Sequence, residues 1–420
     1  MILIDGAHLS ATLLGADRKD VLVVTFSGRE PAPPARSGAA QEFFRKNGVA
    51  CVHFIAKQNH WWQTEELEPA LDIVANVAER QGYQSIVTYG SSMGGYGALI
   101  ASGRLKAVRS VVDTPQFSVD PAKTGWDDRW LKDTRGLSFA EDRFDDRVGP
   151  GEIYVFSDPG FETDQRHVDM IAALRPVRHM RAAFAEHAVS RVLLEAGVLQ
   201  TATLEALTGA LSETRFKALL RAGRRTSPLI YAGASRALAR NGKVKLADRF
   251  GARAVDLLMT APPSAMRLEH ERLLQQRAES LMADGRALDA VPILERWKPT
   301  DSDAKATHDR LHAAALHQAG DAAGALKRAS ALVRAGVADR ESLNLLADCV
   351  KDADRKHAAS AVREFRDVFL QAEGPTLRLI GALMGKNLDQ DVLELCEAGA
   401  ARFPARADKF NGVRAQLTRT

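Results

Sequence analysis

Residues 85–99 read Ser-Ile-Val-Thr-Tyr-Gly-Ser-Ser-Met-Gly-Gly-Tyr-Gly-Ala-Leu, an apolar β-branched run that leads directly into a Gly- and Ala-rich segment typical of a helix. Between the two lies a Gly-x-Ser-x-Gly pattern, with Gly90 and Gly94 on either side of Ser92. Where a strand turns at once into a helix, the residues two before and two after the central serine have almost no room for a side chain. Ser91 does not meet this requirement, because Tyr89 stands two residues before it. The alternative is a glycine-rich structural turn, but the strand-to-helix context favours a nucleophile elbow with Ser92 at its tip.

Short β-branched runs alternate with helical segments through the first half of the chain. The runs are residues 21–26, 50–55, 85–89, 108–113 and 152–156, and residues 67–80 are one of the segments with helical apolar spacing. Strand, helix and strand in alternation predict a mostly parallel sheet covered by helices on both faces. The first half is therefore predicted to have an α/β fold.

From Ala188 onward, strand signals nearly vanish and alanine and leucine dominate, which predicts an all-helical second half. From about Met266 the sequence repeats with a period of about 35 residues, marked by turn glycines Gly285 and Gly320. This period, with small residues where paired helices would cross and Pro404 near the end, resembles tetratricopeptide-type helical hairpins. About four units would fit; an irregular helical bundle is the alternative.

The chain is accordingly predicted to have an α/β domain at residues 1–187, a helical bridge at 188–262 and a helical-repeat domain at 263–420. Part of the bridge could fold over the first domain as a lid. With 420 residues, 45% of them hydrophobic, the chain is long enough for about two to three domains at roughly 150 residues each.

Charge and cysteine usage exclude several classes of protein. The net charge is +4 and Lys and Arg are not grouped in blocks, so nucleic acid is not an expected partner. Cys51, Cys349 and Cys396 are too widely spaced to predict a disulfide framework or a zinc site, which suits a cytoplasmic location. Asp5 interrupts the N-terminus and charges break the later apolar stretches, so no membrane span is expected.

The elbow and the alternating elements together make residues 1 to about 187 resemble an α/β-hydrolase. The elbow is similar to the form found in the esterase D and antigen 85 branch. The resemblance implies a triad of Ser, acid and His in that chain order, with two backbone amides as an oxyanion hole. Met93, directly after Ser92 at the start of a helix, would give one amide. The turn after residues 21–26 would give the other, from Arg29 or, failing that, Gly28.

Two aspartates follow the predicted strand 152–156 and compete for the role of the acid. Asp158 lies just beyond the strand, in a turn with Pro159 and Gly160, and is the preferred candidate. Asp164 is well placed as an ordinary helix N-cap, a role that would explain it without catalysis. Among the candidate bases, His187 lies where the resemblance places the family's histidine.

His167 and His179 fall inside a predicted helix and a predicted strand, so each is expected to be structural. Asp113 and Asp120 border the loop after another predicted strand and are expected to line the pocket without a catalytic role.

The loop after residues 50–55 contains Asn59, His60, Trp61 and Trp62. Adjacent tryptophans on a loop at the carboxyl edge of a sheet predict a platform for a sugar ring or an acyl group, with Asn59 and His60 as polar contacts. The alternative is that one tryptophan packs beneath the loop. The segment 126–130, Trp-Asp-Asp-Arg-Trp, is a candidate second aromatic rim.

These features predict a serine hydrolase that cleaves a carboxylic ester, such as an O-acylated carbohydrate or another small-molecule ester, without a metal or cofactor. An acyl thioester is also open as a substrate. The helical half is expected to bind a protein partner or a second copy of the chain. The alternatives are an acyltransferase that uses the same triad and a non-catalytic scaffold built on helical repeats.

Overall fold

A computed structural model describes residues 1–15, 19–30, 32–35, 37–260, 267–299 and 302–417. Contacts between residues divide the chain into two compact units, Met1–Thr260 and Ala261–Thr420. The predicted domain boundary between residues 262 and 263, and Met266 at the predicted start of the repeat, lie outside the described residues.

The first unit contains one sheet of eight strands within its described residues. The strands are β1 (Ile2–Asp5), β2 (Leu9–Leu14), β3 (Leu22–Phe26), β4 (Ala50–Ala56), β5 (Ile86–Ser91), β6 (Arg109–Asp113), β7 (Glu152–Ser157) and β8 (Val177–Arg181). Their order across the sheet is β1-β2-β4-β3-β5-β6-β7-β8. In this order the six neighbouring strands β4, β3, β5, β6, β7 and β8 run parallel. Strand β2 pairs antiparallel with β4 on one side and with β1 on the other. The predicted α/β fold is confirmed; the β1–β2 hairpin at the sheet edge was not predicted.

Helices connect the strands and then continue past the last of them. They are α1 (Gln41–Lys46), α2 (Leu67–Arg80), α3 (Met93–Ala101), α4 (Pro121–Thr124), α5 (Leu131–Thr134), α6 (Phe144–Arg147), α7 (Glu162–Leu174), α8 (Val189–Glu195), α9 (Leu199–Leu207), α10 (Glu213–Gly223), α11 (Pro228–Arg240) and α12 (Val244–Thr260).

Both faces of the sheet are buried, which explains why the central strands are continuous apolar runs. Successive residues of a strand point to opposite faces, and Val23 and Val24 of β3 belong to two different apolar clusters. Val24 packs on the face covered by α2 and α3, and Val23 on the face to which α8–α10 contribute Leu193 and Phe216. Residues 188–223 thus form part of the first unit, because the parallel sheet needs their apolar side chains on its second face.

His53 in β4 makes the stability of the first unit depend on pH. Its Nδ1 is hydrogen-bonded to the Thr25 hydroxyl at 2.6 Å, and its Nε2 to the Cys51 thiol at 3.0 Å. Burial lowers the pKa of His53 from 6.5 to about 4. Between these two values the unfolded chain binds a proton that the folded chain does not, so stability is lost as the pH falls from 6.5 to about 4. At about 1.4 kcal/mol per pKa unit, the loss amounts to at most about 3.5 kcal/mol.

We therefore expect His53→Gln to lose less stability over this pH interval than the native protein does. Urea unfolding at a series of pH values would measure the difference. Equal losses in the two proteins would contradict the assignment to His53.

The second unit is helical throughout its described residues. Its helices are α13 (Arg267–Ala283), α14 (Ala287–Arg296), α15 (Ser302–Gln318), α16 (Ala322–Arg334), α17 (Arg340–Asp352), α18 (Arg355–Phe369), α19 (Glu373–Leu383), α20 (Asp389–Arg402) and α21 (Ala407–Leu417), with a 3-10 turn at Pro404–Arg406. The predicted turn glycines Gly285 and Gly320 have φ values of 73° and 86°, in the left-handed region that glycine adopts without strain.

Ion pairs between residues about 30 positions apart recur along the second unit: Arg310 with Asp339, Arg334 with Glu364, Arg366 with Glu394 and Arg378 with Asp348. Each pair joins one helix to the next helix but one along the chain, and the arrangement in tetratricopeptide-type hairpins stays a prediction. Among the described residues of the whole chain, no helix is both long and apolar enough to cross a bilayer.

Candidate active site

Ser92 lies at a sharp turn between β5 and α3. Its φ of 52° and ψ of −119° are strained for a residue with a side chain. A Cβ on Gly90 would lie 2.1 Å from the carbonyl oxygen of Gly94, and a Cβ on Gly94 would lie 2.3 Å from that of Phe26. The two glycines therefore allow the helix to begin against the ends of β5 and β3, as an elbow requires.

We expect Gly94→Ala to lower the stability of the first unit by at least about 1–3 kcal/mol, because backbone atoms must move to admit the methyl group. Gly15→Ala is the matched control, since a Cβ on Gly15 meets nothing within 4 Å. Thermal unfolding of both variants tests this expectation. Equal melting temperatures of Gly94→Ala and Gly15→Ala would show that the elbow tolerates a side chain at position 94.

His187 approaches Ser92 from the loop between β8 and α8, residues 182–188, which is named the histidine loop. Its Nε2 is 3.0 Å from the Ser92 Oγ, and its side chain is 29% exposed. The imidazole Nδ1 is 2.7 Å from Oδ2 of Asp164, whose carboxylate is fully buried. With Nδ1 donating to this carboxylate, Nε2 is free to accept the proton of the Ser92 hydroxyl.

The prediction that Asp158 pairs with His187 is wrong for this structure. Asp158 accepts hydrogen bonds from the backbone amides of Gly160 and Glu186, each at 2.9 Å, and burial raises the pKa of its carboxyl. It thereby ties the turn after β7 to the residue that precedes His187. Asp158 supports the histidine loop through the backbone and does not contact the imidazole.

Asp164 is also not the helix N-cap that the sequence suggested. Helix α7 begins at Glu162 with Phe161 at the N-cap position, so Asp164 lies in the first turn of the helix. From there its side chain points to His187 with one oxygen and accepts a hydrogen bond from Nη2 of Arg129 at 2.9 Å with the other.

Arg129 extends the hydrogen-bond network beyond Asp164 and was missed in the sequence. Its Nε and Nη2 donate to the two oxygens of Asp127 at 2.8 and 2.7 Å, and Asp127 is 3.0 Å from Nε2 of His167. Burial acts to raise the pKa of the Asp127 carboxyl. The hydrogen bonds from Arg129 and His167 outweigh this effect and bring that pKa well below its ordinary value. The only available signal was the Asp-Asp-Arg sequence inside the aromatic segment 126–130.

The other histidines considered as bases are in structural positions. Both rings of His167 and His179 are buried; Nδ1 of His167 accepts from the Phe117 amide at 3.2 Å, and Nε2 of His179 is 2.7 Å from the Ser157 hydroxyl. Asp120 caps α4 by accepting from the Ala122 amide. Asp113 is buried at the end of β6, and this burial raises the pKa of its carboxyl.

The segments predicted to supply the oxyanion hole lie together at the elbow. Met93 is the first residue of α3, where the amides of the first turn have no partner within the helix. A Cβ on Gly28 would lie 3.5 Å from the carbonyl oxygen of Ser91, so the turn after β3 lies against the elbow. The Asn59 side chain holds this turn by donating to the Glu30 carbonyl at 2.7 Å and accepting from the Glu30 amide at 3.0 Å.

The predicted tryptophan platform is contradicted, because Trp61 and Trp62 are fully buried. Trp62 packs against Phe26 beneath α3 and donates its indole N–H to the carbonyl oxygen of Met93 at 2.9 Å. His60 is also buried; its Nδ1 accepts from the Trp62 amide and its Nε2 donates to the His8 carbonyl. These three residues support the elbow from within the core.

Trp130, in the segment predicted as a second rim, is the aromatic side chain next to the candidate site. It is partly exposed, and its ring centroid lies 5.6 Å from that of His187 and 5.3 Å from that of Trp61. Within the part of the chain that the structure describes, no group of three or more His, Cys, Asp or Glu side chains has the geometry to hold a metal ion.

The fold and the elbow define the class of the first unit: it has the α/β-hydrolase fold. No protein-family model matches the chain, and no curated protein is significantly similar in sequence.

Solved structures resemble the chain over about half its length. The capsule O-acetyltransferase of Neisseria meningitidis serogroup A is 14% identical, with a TM-score of 0.35 over 52% of this chain and 93% of its own. An α/β serine hydrolase without a lid from Xanthomonas campestris is 17% identical, with a TM-score of 0.35 over 50% of this chain and 94% of its own. A proline iminopeptidase-related protein from Thermus thermophilus is 15% identical, with a TM-score of 0.32 over 50% of this chain and 98% of its own. Likeness at this level is one of fold alone.

Proposed function

We propose that the first unit is a serine hydrolase that cleaves a carboxylic ester through an acyl-enzyme on Ser92. The observation that carries this proposal is the continuous hydrogen-bonded chain from Ser92 Oγ to His187 Nε2 at 3.0 Å and from His187 Nδ1 to Asp164 Oδ2 at 2.7 Å. Such a chain activates a hydroxyl as a nucleophile, since the base can take its proton while the carboxylate stabilises the imidazolium that forms.

In the first half of the reaction, Ser92 Oγ attacks the carbonyl carbon of the ester while its proton passes to His187 Nε2. The oxyanion accepts hydrogen bonds from the backbone amide of Met93 and from that of Arg29, with Gly28 as the alternative donor. When the C–O bond to the alcohol breaks, His187 returns its proton to the leaving oxygen. The acyl group stays on Ser92.

In the second half, water attacks the acyl carbon and gives a proton to His187 Nε2. The tetrahedral intermediate collapses, the carboxylic acid leaves, and the proton returns to Ser92 Oγ. An acyltransferase would follow the same steps with another hydroxyl in place of water.

The acylated-carbohydrate substrate rested on Trp61 and Trp62, and their burial removes that support. Trp130 takes their place as the aromatic surface beside His187, at a ring distance of 5.6 Å. An aromatic face of this kind can pack on either a sugar ring or an acyl chain. We therefore propose a small carboxylic ester whose acyl or alcohol part lies against Trp130.

The test of the proposal is reaction with a fluorophosphonate, measured by intact mass, together with release of p-nitrophenol from p-nitrophenyl acetate. One adduct per chain and loss of hydrolysis on labelling are the expected results. A well-folded protein that forms no adduct would rule out an activated serine.

Arg129 is expected to act as a positioning residue for Asp164. Arg129→Gln removes the ion pair that orients the carboxylate, so we expect kcat for p-nitrophenyl acetate to fall by about 10²-fold with little change in KM. Arg129→Lys retains the charge and should recover part of the loss. An effect on melting temperature alone, with kcat unchanged, would assign Arg129 a purely structural role.

A further inference from the structure

A pocket of about 420 Å³ in the first unit lies between the loop after β8 and helices α10, α11 and α12. Its apolar wall is formed by Phe184, Leu220, Ile230, Tyr231, Ala234 and Phe250. Phe184 is 41% exposed, and the rings of Tyr231 and Phe250 are 5.7 Å apart. The volume falls within the range of small-molecule sites, and the lining leaves aromatic surface open to a ligand.

Two arginines, Arg224 and Arg225, complete the lining of this pocket, and both are exposed. Neither forms an ion pair with any residue that the structure describes, and no carboxylate lines the pocket. Two other arginines of α10 and α11 are paired, Arg215 with Glu205 and Arg236 with Glu186. The pocket therefore combines an apolar wall with two guanidinium groups that have no anion of their own.

We propose that this pocket binds a small amphiphilic anion. The apolar part of the ligand packs against Phe184, Tyr231 and Phe250, and its carboxylate or phosphate pairs with Arg224 and Arg225. Guanidinium groups suit both anions because their planar N–H donors match two oxygens at once.

The pocket is lined by none of the residues assigned to the reaction at Ser92. It does border the histidine loop, since Phe184 precedes His187 by three residues. A Cβ on Gly233 would lie 1.9 Å from the Phe184 carbonyl oxygen, so α11 packs directly on this loop. Binding in the pocket can be measured separately from labelling of Ser92, and one can fail without the other.

Calorimetric titration with decanoate, decyl phosphate and decanol, each below its micelle concentration, tests the proposal. We expect saturable binding of at least one of the two anions by the native protein and by Ser92→Ala with similar affinity. The comparison of decanoate with decyl phosphate distinguishes carboxylate from phosphate. Decanol, which has no charge, should bind at least about tenfold more weakly.

Two variants locate the binding. The surface double variant Arg224→Ala/Arg225→Ala should weaken anion binding by about 10- to 100-fold, because charge-assisted hydrogen bonds are lost. Ala234→Trp, which fills the pocket, should remove binding. The proposal would be overturned if neither anion bound saturably or if decanol bound as tightly as the anions. Unchanged affinity in the double arginine variant, or loss of binding in Ser92→Ala, would also overturn it.

Discussion

Ser92→Ala is expected to abolish the fluorophosphonate adduct and to lower kcat for p-nitrophenyl acetate by about 10⁴- to 10⁶-fold. The reason is that Ser92 Oγ is the hydroxyl 3.0 Å from His187 Nε2, and the variant has no nucleophile to form an acyl-enzyme. Intact mass after labelling gives the result directly. Rates of hydrolysis give its size.

Ser91→Ala is the matched control, since it removes a hydroxyl from the neighbouring residue of the same turn. The hydrogen bond between Ser92 Oγ and His187 Nε2 does not involve the Ser91 hydroxyl, so the loss of that hydroxyl leaves this contact in place. We expect one adduct on Ser91→Ala and hydrolysis within about tenfold of native. An adduct on Ser92→Ala, or its loss from Ser91→Ala alone, would show that the assignment of the nucleophile is wrong.

Asp164→Asn is expected to lower kcat by about 10⁴-fold with little change in KM. The asparagine amide cannot hold Nδ1 protonated as the carboxylate does, so His187 is left with the proton on Nε2 and cannot accept that of Ser92. Steady-state kinetics with p-nitrophenyl acetate measures this effect.

Asp158→Asn makes the comparison decisive, because the two aspartates differ in what their oxygens contact. The Asp158 oxygens accept only from backbone amides in the described structure, and asparagine keeps one acceptor oxygen for them. We expect kcat within about tenfold of native and a loss of stability of about 1–3 kcal/mol. A large fall of kcat in Asp158→Asn, with Asp164→Asn nearly unaffected, would restore the original assignment of the acid.

The sequence was sufficient for the elbow and for a mostly parallel sheet built from alternating strands and helices. Gly90 and Gly94 identify the turn because the backbone leaves no room for a side chain two residues before and two residues after Ser92. Ser92 and His187, predicted as a pair from a strand-end and a loop about 95 positions apart, are brought within hydrogen-bond distance. Their roles in catalysis stay a prediction that the variants above test.

The identity of the acid could not be read from the sequence. Asp158 and Asp164 both follow β7, and both satisfy the chain order of serine, acid and histidine. What separates them is the rotation of α7, which points the Asp164 side chain at His187, and the path of the histidine loop, which brings the Glu186 amide to Asp158. Neither is a local property of the residues concerned.

The roles of the tryptophans and of Arg129 were also decided by packing. Trp61 and Trp62 look like a loop platform in the sequence, but positive φ values of 52° and 59° turn the loop so that both rings enter the core. Arg129 becomes part of the site only because residues 126–130 fold back over α7, where its guanidinium meets Asp164.

The sequence by itself determined an α/β sheet, an elbow with Ser92 at its tip and a helical second half, since each follows from local periodicity or a local steric rule. Only the tertiary structure decided which aspartate faces His187, which aromatic ring borders it and that helices after residue 188 cover one face of the sheet. These depend on contacts between residues distant in the chain, where the direction of a side chain is fixed by the elements that pack around it.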